Sequence, residues 1–421
     1  LLFSSIVIAS LIVTIAFVQL ALAVYFYWIV RRGTRGDQTA SVSGRVSVFM
    51  SVRGCDPTLR KSLEALLQQD YPNYDVHLVV DHRGDSAWSV VHDVQERFDH
   101  FHRLTIHEMQ QPVDTCGLKC SALVQALEHF DPETKYLVLM DADVTPHESW
   151  LREVTAPLLN PRIGVVTGNQ WFEPNERSPV GSLLRSLWNA GAIVPTAIFN
   201  NPWAGTFAMR MEDVAAAKLA DVWRCSAVDD GPIRQAIAPL GLKIKFQPTL
   251  IMINREECTF NYVNHYVARM LTWSKLYEKT FINTVVHAVI TNLLMFAALL
   301  TLVAALLAVQ PVVATIALCS ILIMSLVSTL GYVIVRAGVD YSCRKRGESL
   351  PPLSFIQLAR FAALIPVTLV IYGGSCFRAI VSQQVRWREI TYEVKNKSQI
   401  RMLQYAPLLV EPEQAQSKVS L

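Results

Sequence analysis

Two acidic groups stand out in a chain of 421 residues of which only 17% are charged. Asp141-Ala142-Asp143 follows the apolar run Tyr136-Leu137-Val138-Leu139-Met140. Val228-Asp229-Asp230-Gly231 precedes a helix-like stretch, Pro232–Ala238. Two carboxylates one residue apart at a strand end can both approach one hard cation, as Mg2+ is held when it also bridges substrate phosphates. A cation there neutralises the charge that builds on a departing nucleoside diphosphate. The side-by-side pair suits other work. Adjacent carboxylates repel, so one binds a proton more tightly and can serve as a base near neutral pH. In sugar transfer such a base takes the proton of the attacking hydroxyl, and a single displacement inverts the anomeric carbon. Each group also has a plainer reading: Asp-x-Asp is common in loops, and an acid pair near a helix start favours the helix dipole.

Two basic and aromatic segments come next. Arg269-Met270-Leu271-Thr272-Trp273-Ser274-Lys275 lies just before a long apolar run, where Trp and Lys are ordinary interface anchors. Gln383-Gln384-Val385-Arg386-Trp387-Arg388, with Tyr392 beyond it, follows a shorter one. Either could also bind an acceptor or a phosphate. No Gly-rich phosphate loop is present, so a nucleotide must be held some other way. Basic residues gather at the ends of apolar runs, without a zinc module or an aromatic-basic sheet, which speaks against a nucleic-acid partner.

The elements that must position these acids follow from hydrophobic period. Val46–Val52, Tyr74–Val80, Thr105–His107 and Lys135–Met140 read as strands. Pro57–Gln69, Ser86–Phe98 and Cys120–Phe130 read as helices. Such alternation predicts a mostly parallel sheet covered on both faces. Ligands of these sheets sit at the carboxyl ends of the strands, where Asp81 and Asp141 fall.

Residues 1–30 carry no Asp, Glu, Lys or Arg, and neither does Thr280–Val335. A helical span needs about 20 apolar residues, which predicts one span in the first run and two in the second. Arg31, Arg32 and Arg35 follow the first, and Arg336, Arg344, Lys345 and Arg346 the second. Basic exits mark the cytoplasmic side, so an integral membrane protein with a cytoplasmic catalytic domain is expected. The divisions are then a span at 1–30, a linker at 31–44, the α/β domain at 45–279 and two spans at 280–337. A loop and a third apolar segment fill 338–381, and a basic tail runs over 382–421. Phe361–Phe377, with Pro366 and Gly373-Gly374, is short for a span, and a crossing would put the basic tail outside. A broken, re-entrant or interfacial segment fits the charges better, with a third crossing as the other reading. Eight cysteines without a zinc pattern read as reduced, mostly buried thiols.

The chain resembles family 2 glycosyltransferases, and among them the ceramide glucosyltransferase type. The likeness rests on Gly54-x-Asp56-Pro57, Gln69-Asp70-Tyr71-Pro72, Asp81-His82, Gly117-Leu118-Lys119 and Asp141-Ala142-Asp143. It continues through Asp229-Asp230, Arg269-Met270-Leu271-x-Trp273 and Trp387-Arg388-x-x-x-Tyr392. The resemblance implies a GT-A fold, a UDP-sugar donor, Mg2+ or Mn2+, and a lipid acceptor from the cytosolic leaflet. Carried over, Asp81 contacts the nucleoside base, and Lys119 the donor phosphates. Asp143 ligates metal with Asp141 beside it, and Asp141 also lies on the donor side. Asp230 is the general base, with Asp229 where the family usually has Glu. Trp203 and Gly205 lie near the acceptor edge. The family's Q/R-x-x-R-W element falls by spacing on Arg269 to Trp273, with Thr272 in place of the second basic residue. The literal pattern, Gln383, Arg386 and Trp387, lies in the tail, which could fold back to supply that arginine. The function so implied is inverting transfer of a hexose, such as glucose, to a lipid such as ceramide. The alternatives are a processive polysaccharide synthase of the cellulose or hyaluronan type, and a catalytically inactive nucleotide-binding scaffold.

Overall fold

The computed structural model describes residues 1–34, 43–97 and 103–408. After the N-terminal helix α1 (Leu2–Gly33), strands β1 (Arg45–Val52), β2 (Tyr74–Val80), β3 (Leu104–Glu108) and β4 (Thr134–Met140) alternate with α2 (Leu59–Leu67), α3 (Ser86–Arg97) and α4 (Leu118–Leu127). Then come α5 (Trp150–Thr155), β5 (Ile163–Phe172), α6 (Val180–Phe199) and β6 (Thr206–Arg210). Three short helices, α7 (Met211–Ala216), α8 (Leu219–Trp223) and α9 (Ile233–Ile237), lead to β7 (Lys243–Asn254).

The strands form one sheet in the order β3-β2-β1-β4-β6-β5-β7. All run parallel except β6, which is antiparallel to both β4 and β5. A sheet covered on both faces needs apolar residues on both, and β2 is buried along its whole length. One face packs on Leu59, Leu63, Leu66 and Val91, the other on Leu123, Ala126, Leu219 and Trp223. Register sets the site. Val48 pairs with Val76 on one side and Val138 on the other, which brings the carboxyl ends of β1, β2 and β4 to one edge. Arg53, Asp81 and Asp141 leave the sheet there.

α10 (Phe260–Tyr277) joins this domain to α11 (Phe281–Leu307) and α12 (Pro311–Arg344), and α13 (Phe355–Val381) follows. Helices α1, α11, α12 and α13 are long and apolar enough to cross a membrane. The joint to the α/β domain is polar and buried. Arg336 donates through Nε to both carboxylate oxygens of Glu173, at 3.0 and 3.2 Å, and Trp171 donates to the same carboxylate at 2.7 Å. Ser342 donates to the Pro248 carbonyl at 2.6 Å and Arg346 to that of Thr249 at 2.8 Å. Arg336→Met would strand a buried Glu173, and removing one partner of a buried pair costs about 3–5 kcal/mol. The expected outcome is a large fall in thermal midpoint in detergent, with Glu173→Gln recovering part of it in the double variant.

Three expectations need correction. The segment containing Phe361–Phe377 is not broken: α13 is one continuous helix through Pro366, opened by a capping box in which Ser354 accepts from Gln357 N at 3.2 Å. Its two ends are held by the same domain. Arg360 donates to the carbonyls of Glu176 and Ser178, at 2.6 and 2.8 Å, while Arg378 donates to that of Asn264 at 2.6 Å and Lys275 to that of Ala379 at 2.9 Å. The stretch 31–44 is not all linker, because Arg31–Gly33 complete α1; residues 35–42 lie outside the described residues. Finally, 382–421 is not simply a tail. β8 (Gln384–Trp387), β9 (Ile390–Asn396) and β10 (Gln399–Gln404) make an antiparallel sheet whose Val385, Ile390 and Tyr392 enter the domain core. Residues 409–421 lie outside the described residues.

Candidate active site

Parallel register delivers the acids, and loops then fix their partners. Gly117 opens α4 and donates its N–H to the Ser226 carbonyl at 2.8 Å. A Cβ at this position would lie 2.1 Å from the Ala227 carbonyl oxygen, so only glycine lets the 226–230 loop come so close. That approach sets Lys119, two residues on, between two acids. Its ammonium pairs with Asp141 at the end of β4 and lies 2.9 Å from Asp229 Oδ2. Trp223 holds the loop from behind by donating to the Asp229 carbonyl at 2.8 Å.

Asp230, next in sequence, accepts from Ala204 N at 3.2 Å. Burial first, and then the charge of Asp229, push Asp230 up to about 7, against the opposing pull of Lys119. Ala204 belongs to the Trp203-Ala204-Gly205 turn, pinned by Trp203 N donating to Thr167 Oγ1 at 2.9 Å. The Trp203 indole lies against Gly205, where a Cβ would come within 2.0 Å of the ring.

Among the described residues Asp143 meets only neutral amides directly, Gln170 at 3.2 Å and Asn254 at 3.5 Å. Burial, then the charges of Asp141 and Asp56, push it up to about 7. Among the described residues no three acidic, His or Cys side chains converge as a ready-made cation cage; Asp143, with the charges of Asp141 and Asp56 near it, is the carboxylate that a hard divalent cation would neutralise.

Asp81, at the end of β2, is fully partnered. Arg53 pairs with Oδ2, and Tyr405 donates to Oδ1 at 3.1 Å. Asp81, Arg53 and Lys119 line a pocket with Ser51, Val79, Met109, Leu118 and Trp387. The C-terminal sheet closes it: Arg53 donates to the carbonyls of Arg388, at 3.0 Å, and Ala406, at 2.8 Å. Arg388 in turn donates to both oxygens of Asp56, at 2.6 and 2.9 Å.

With this geometry in view, comparison with known proteins assigns the family. The sequence matches Glycosyl transferase family 21 over residues 10–400. The chain belongs to glycosyltransferase family 21. No curated protein matches the sequence. Among solved structures, the chain is similar to a mannosyltransferase from Pyrobaculum calidifontis in complex with GDP-Man and Mn2+. They share 17% identity over 89% of this chain and 97% of that one, with a TM-score of 0.47. It is also similar to glucosyl-3-phosphoglycerate synthase from Mycobacterium tuberculosis with Mn2+ and UDP-glucose. Identity there is 14% over 59% of this chain and 82% of that one, with a TM-score of 0.36. The family 21 enzyme is thus a hexosyltransferase with a GT-A fold and flanking apolar helices.

The remaining expected residues divide. In the family 21 glycosyltransferase Arg269 and Trp273 share one face of α10. Arg269 lies over the Tyr266 ring at 5.8 Å, and Trp273 packs on the domain core. Thr272 is buried and donates to the Ala268 carbonyl at 2.8 Å, so it carries no substitute for a charge. Gln383 and Arg386 do not enter the cleft. Alternation along β8 turns Val385 inward and leaves Gln384 and Arg386 in solvent, where Arg386 pairs with Glu389. Sequence reasoning missed Arg53, Arg388, Tyr405 and Gln170 as site residues. Only Arg388 had a signal, as the charge next to Trp387.

Proposed function

We propose that the enzyme transfers a hexose, glucose in the first instance, from a UDP-sugar to a lipid hydroxyl such as that of ceramide, with inversion, at the cytoplasmic membrane face. The observation that carries this reading is the chain of contacts Ala204–Asp230 and Asp229–Lys119–Asp141, which puts a proton acceptor beside the acidic cluster at the end of β4. Asp230 would take the proton of the acceptor hydroxyl, its affinity for protons matched to neutral pH by burial and by Asp229. Lys119 would steady the donor phosphates, and Asp81 the base. Asp143 and Asp141 would hold Mn2+ or Mg2+, which would supply charge neutralisation for the leaving diphosphate. Structures similar in fold were solved with Mn2+ and nucleotide sugars.

Apolar surroundings support a lipid acceptor. Beyond Asp143, α6 and α10 present Trp188, Tyr262 and Tyr266 as one aromatic cluster, and α13 packs against both. Phe355, Val370 and Phe377 on α13 stay exposed. A helix tied at both ends to one domain, with apolar side chains outward, suits a position along the membrane surface rather than across it. The basic exits of α1 and α12 favour the cytoplasmic face.

The test is purified protein in detergent with Mn2+ or Mg2+, a panel of UDP-sugars and a mixed lipid extract, read by mass spectrometry. A lipid bearing one hexose is expected, and its absence with Asp230→Asn. Long polymer as the sole product would replace this reading with a processive synthase, and no donor turnover with an inactive scaffold.

A further inference from the structure

We propose that Arg388, brought in by the C-terminal hairpin, binds the diphosphate of the donor, an assignment that rests on the UDP-sugar reading above. Nearness in sequence does not put it there, since more than three hundred residues separate it from Asp56. The backbone does. Arg388 and Glu389 form the two-residue turn between β8 and β9, and both have positive φ, 42° and 65°. Turns of this kind favour Asn-Gly, and side chains such as Arg and Glu are held there at a cost in strain. Strain of this sort persists where the surroundings over-determine it, and it gathers at functional sites. Here the turn carries a guanidinium into the cleft, with 16% of its side chain exposed against 6% for Asp56.

The cations of the cleft are not equally engaged. Lys119 is shared between Asp141 and Asp229, and Arg53 is spread over Asp81 and two carbonyls. Arg388 uses Nη2 alone on Asp56; among the described residues, its Nε and Nη1 donate to no partner. A guanidinium has five N–H groups in a fork that matches two phosphate oxygens. Position agrees with chemistry. The Arg388 carbonyl accepts from Arg53, the partner of Asp81, while its neighbour Trp387 lines the pocket with Lys119. Arg388 therefore stands between the base end of the pocket, at Asp81, and the acidic cluster around Asp143, where a nucleotide's phosphates would lie.

Calorimetry of the full chain in detergent with Mn2+, using uridine and UDP as probes, tests this. A charged hydrogen bond is worth about 1.5–3 kcal/mol, so Arg388→Met should weaken UDP binding about 10- to 100-fold. Uridine affinity should stay within about twofold of the parent, because the deleted contact is to phosphate. Arg388→Lys should restore part of the loss, keeping the charge without the fork. Equal loss of uridine and UDP would show that the hairpin only packs the pocket, and would overturn the assignment. So would a Met variant that binds UDP like the parent. A parent that binds neither probe overturns the UDP reading, and this assignment with it.

Discussion

Asp230→Asn is expected to lower the turnover of sugar transfer by about 10^3-fold, within the usual range for loss of a general base, while donor KM stays near that of the parent. The amide keeps the shape and can still accept from Ala204 N, but it cannot take a proton. A pH profile makes the assignment sharper. Asp230 must be ionised to act, and burial together with Asp229 raises it to about 7. The parent rate should therefore fall about tenfold per pH unit below neutrality. The residual rate of the Asn variant should lose that acidic limb. A variant that keeps both rate and limb would put the base elsewhere. Lys119 bears on the same profile: it lowers the proton affinity of Asp230, so Lys119→Met should move the limb to higher pH as well as weakening the donor.

Asp143→Asn should be nearly as damaging to activity, about 10^3-fold, because a bound cation is worth several kcal/mol of charge stabilisation. Its effect on folding should have the opposite sign. Asp143 lies among like charges of Asp141 and Asp56, with only amides as direct partners among the described residues, so metal-free protein gains from losing its charge. The thermal midpoint of the metal-free Asn variant should match or exceed that of the parent. Mn2+ with UDP should raise the parent's midpoint by mass action and leave the variant's unchanged. Activity that survives chelation, or a variant that still responds to Mn2+, would sink the metal assignment.

How much of this was legible beforehand follows physical lines. The first half of the sheet was readable because buried parallel strands are rich in apolar residues, and β1, β2 and β4 each close on an apolar residue, Val52, Val80 and Met140, with a charged one next. The acids at those ends were therefore countable. β6, which runs against its neighbours in the seven-stranded sheet, is only five residues long and was not readable. Nor was the path of the tail. Its strands are short and mixed, and whether they pack on the domain depends on partners hundreds of residues away, as Tyr392 shows by accepting from Leu118 N at 3.2 Å. Arg386 and Arg388 are two residues apart and share a parity; β8 stops at Trp387, and the positive-φ turn after it carries Arg388 to Asp56 while Arg386 stays in solvent. The spacing of Gln383, Arg386 and Trp387 drew attention to Arg386, which β8 carries on the same outward side as Gln384 and opposite Val385. Pro366 and the glycines of α13 suggested a break, yet contacts with neighbouring helices keep it whole, as where Asn292 donates to the Leu369 carbonyl at 3.0 Å.

The polar joint at Glu173, the ties from Pro248 and Thr249 to α12, and the two anchored ends of α13 attach the catalytic domain at several separated points. A body held at one point can swing; a body held at several keeps its height. The cleft therefore has a fixed altitude over the helices that carry it. For the lipid acceptor proposed above, that turns substrate capture into a two-dimensional search, in which only hydroxyls presented at the right level meet Asp230. A water-soluble molecule with the same head group would have to find that level in three dimensions, and its disadvantage would be one of encounter rather than of contact.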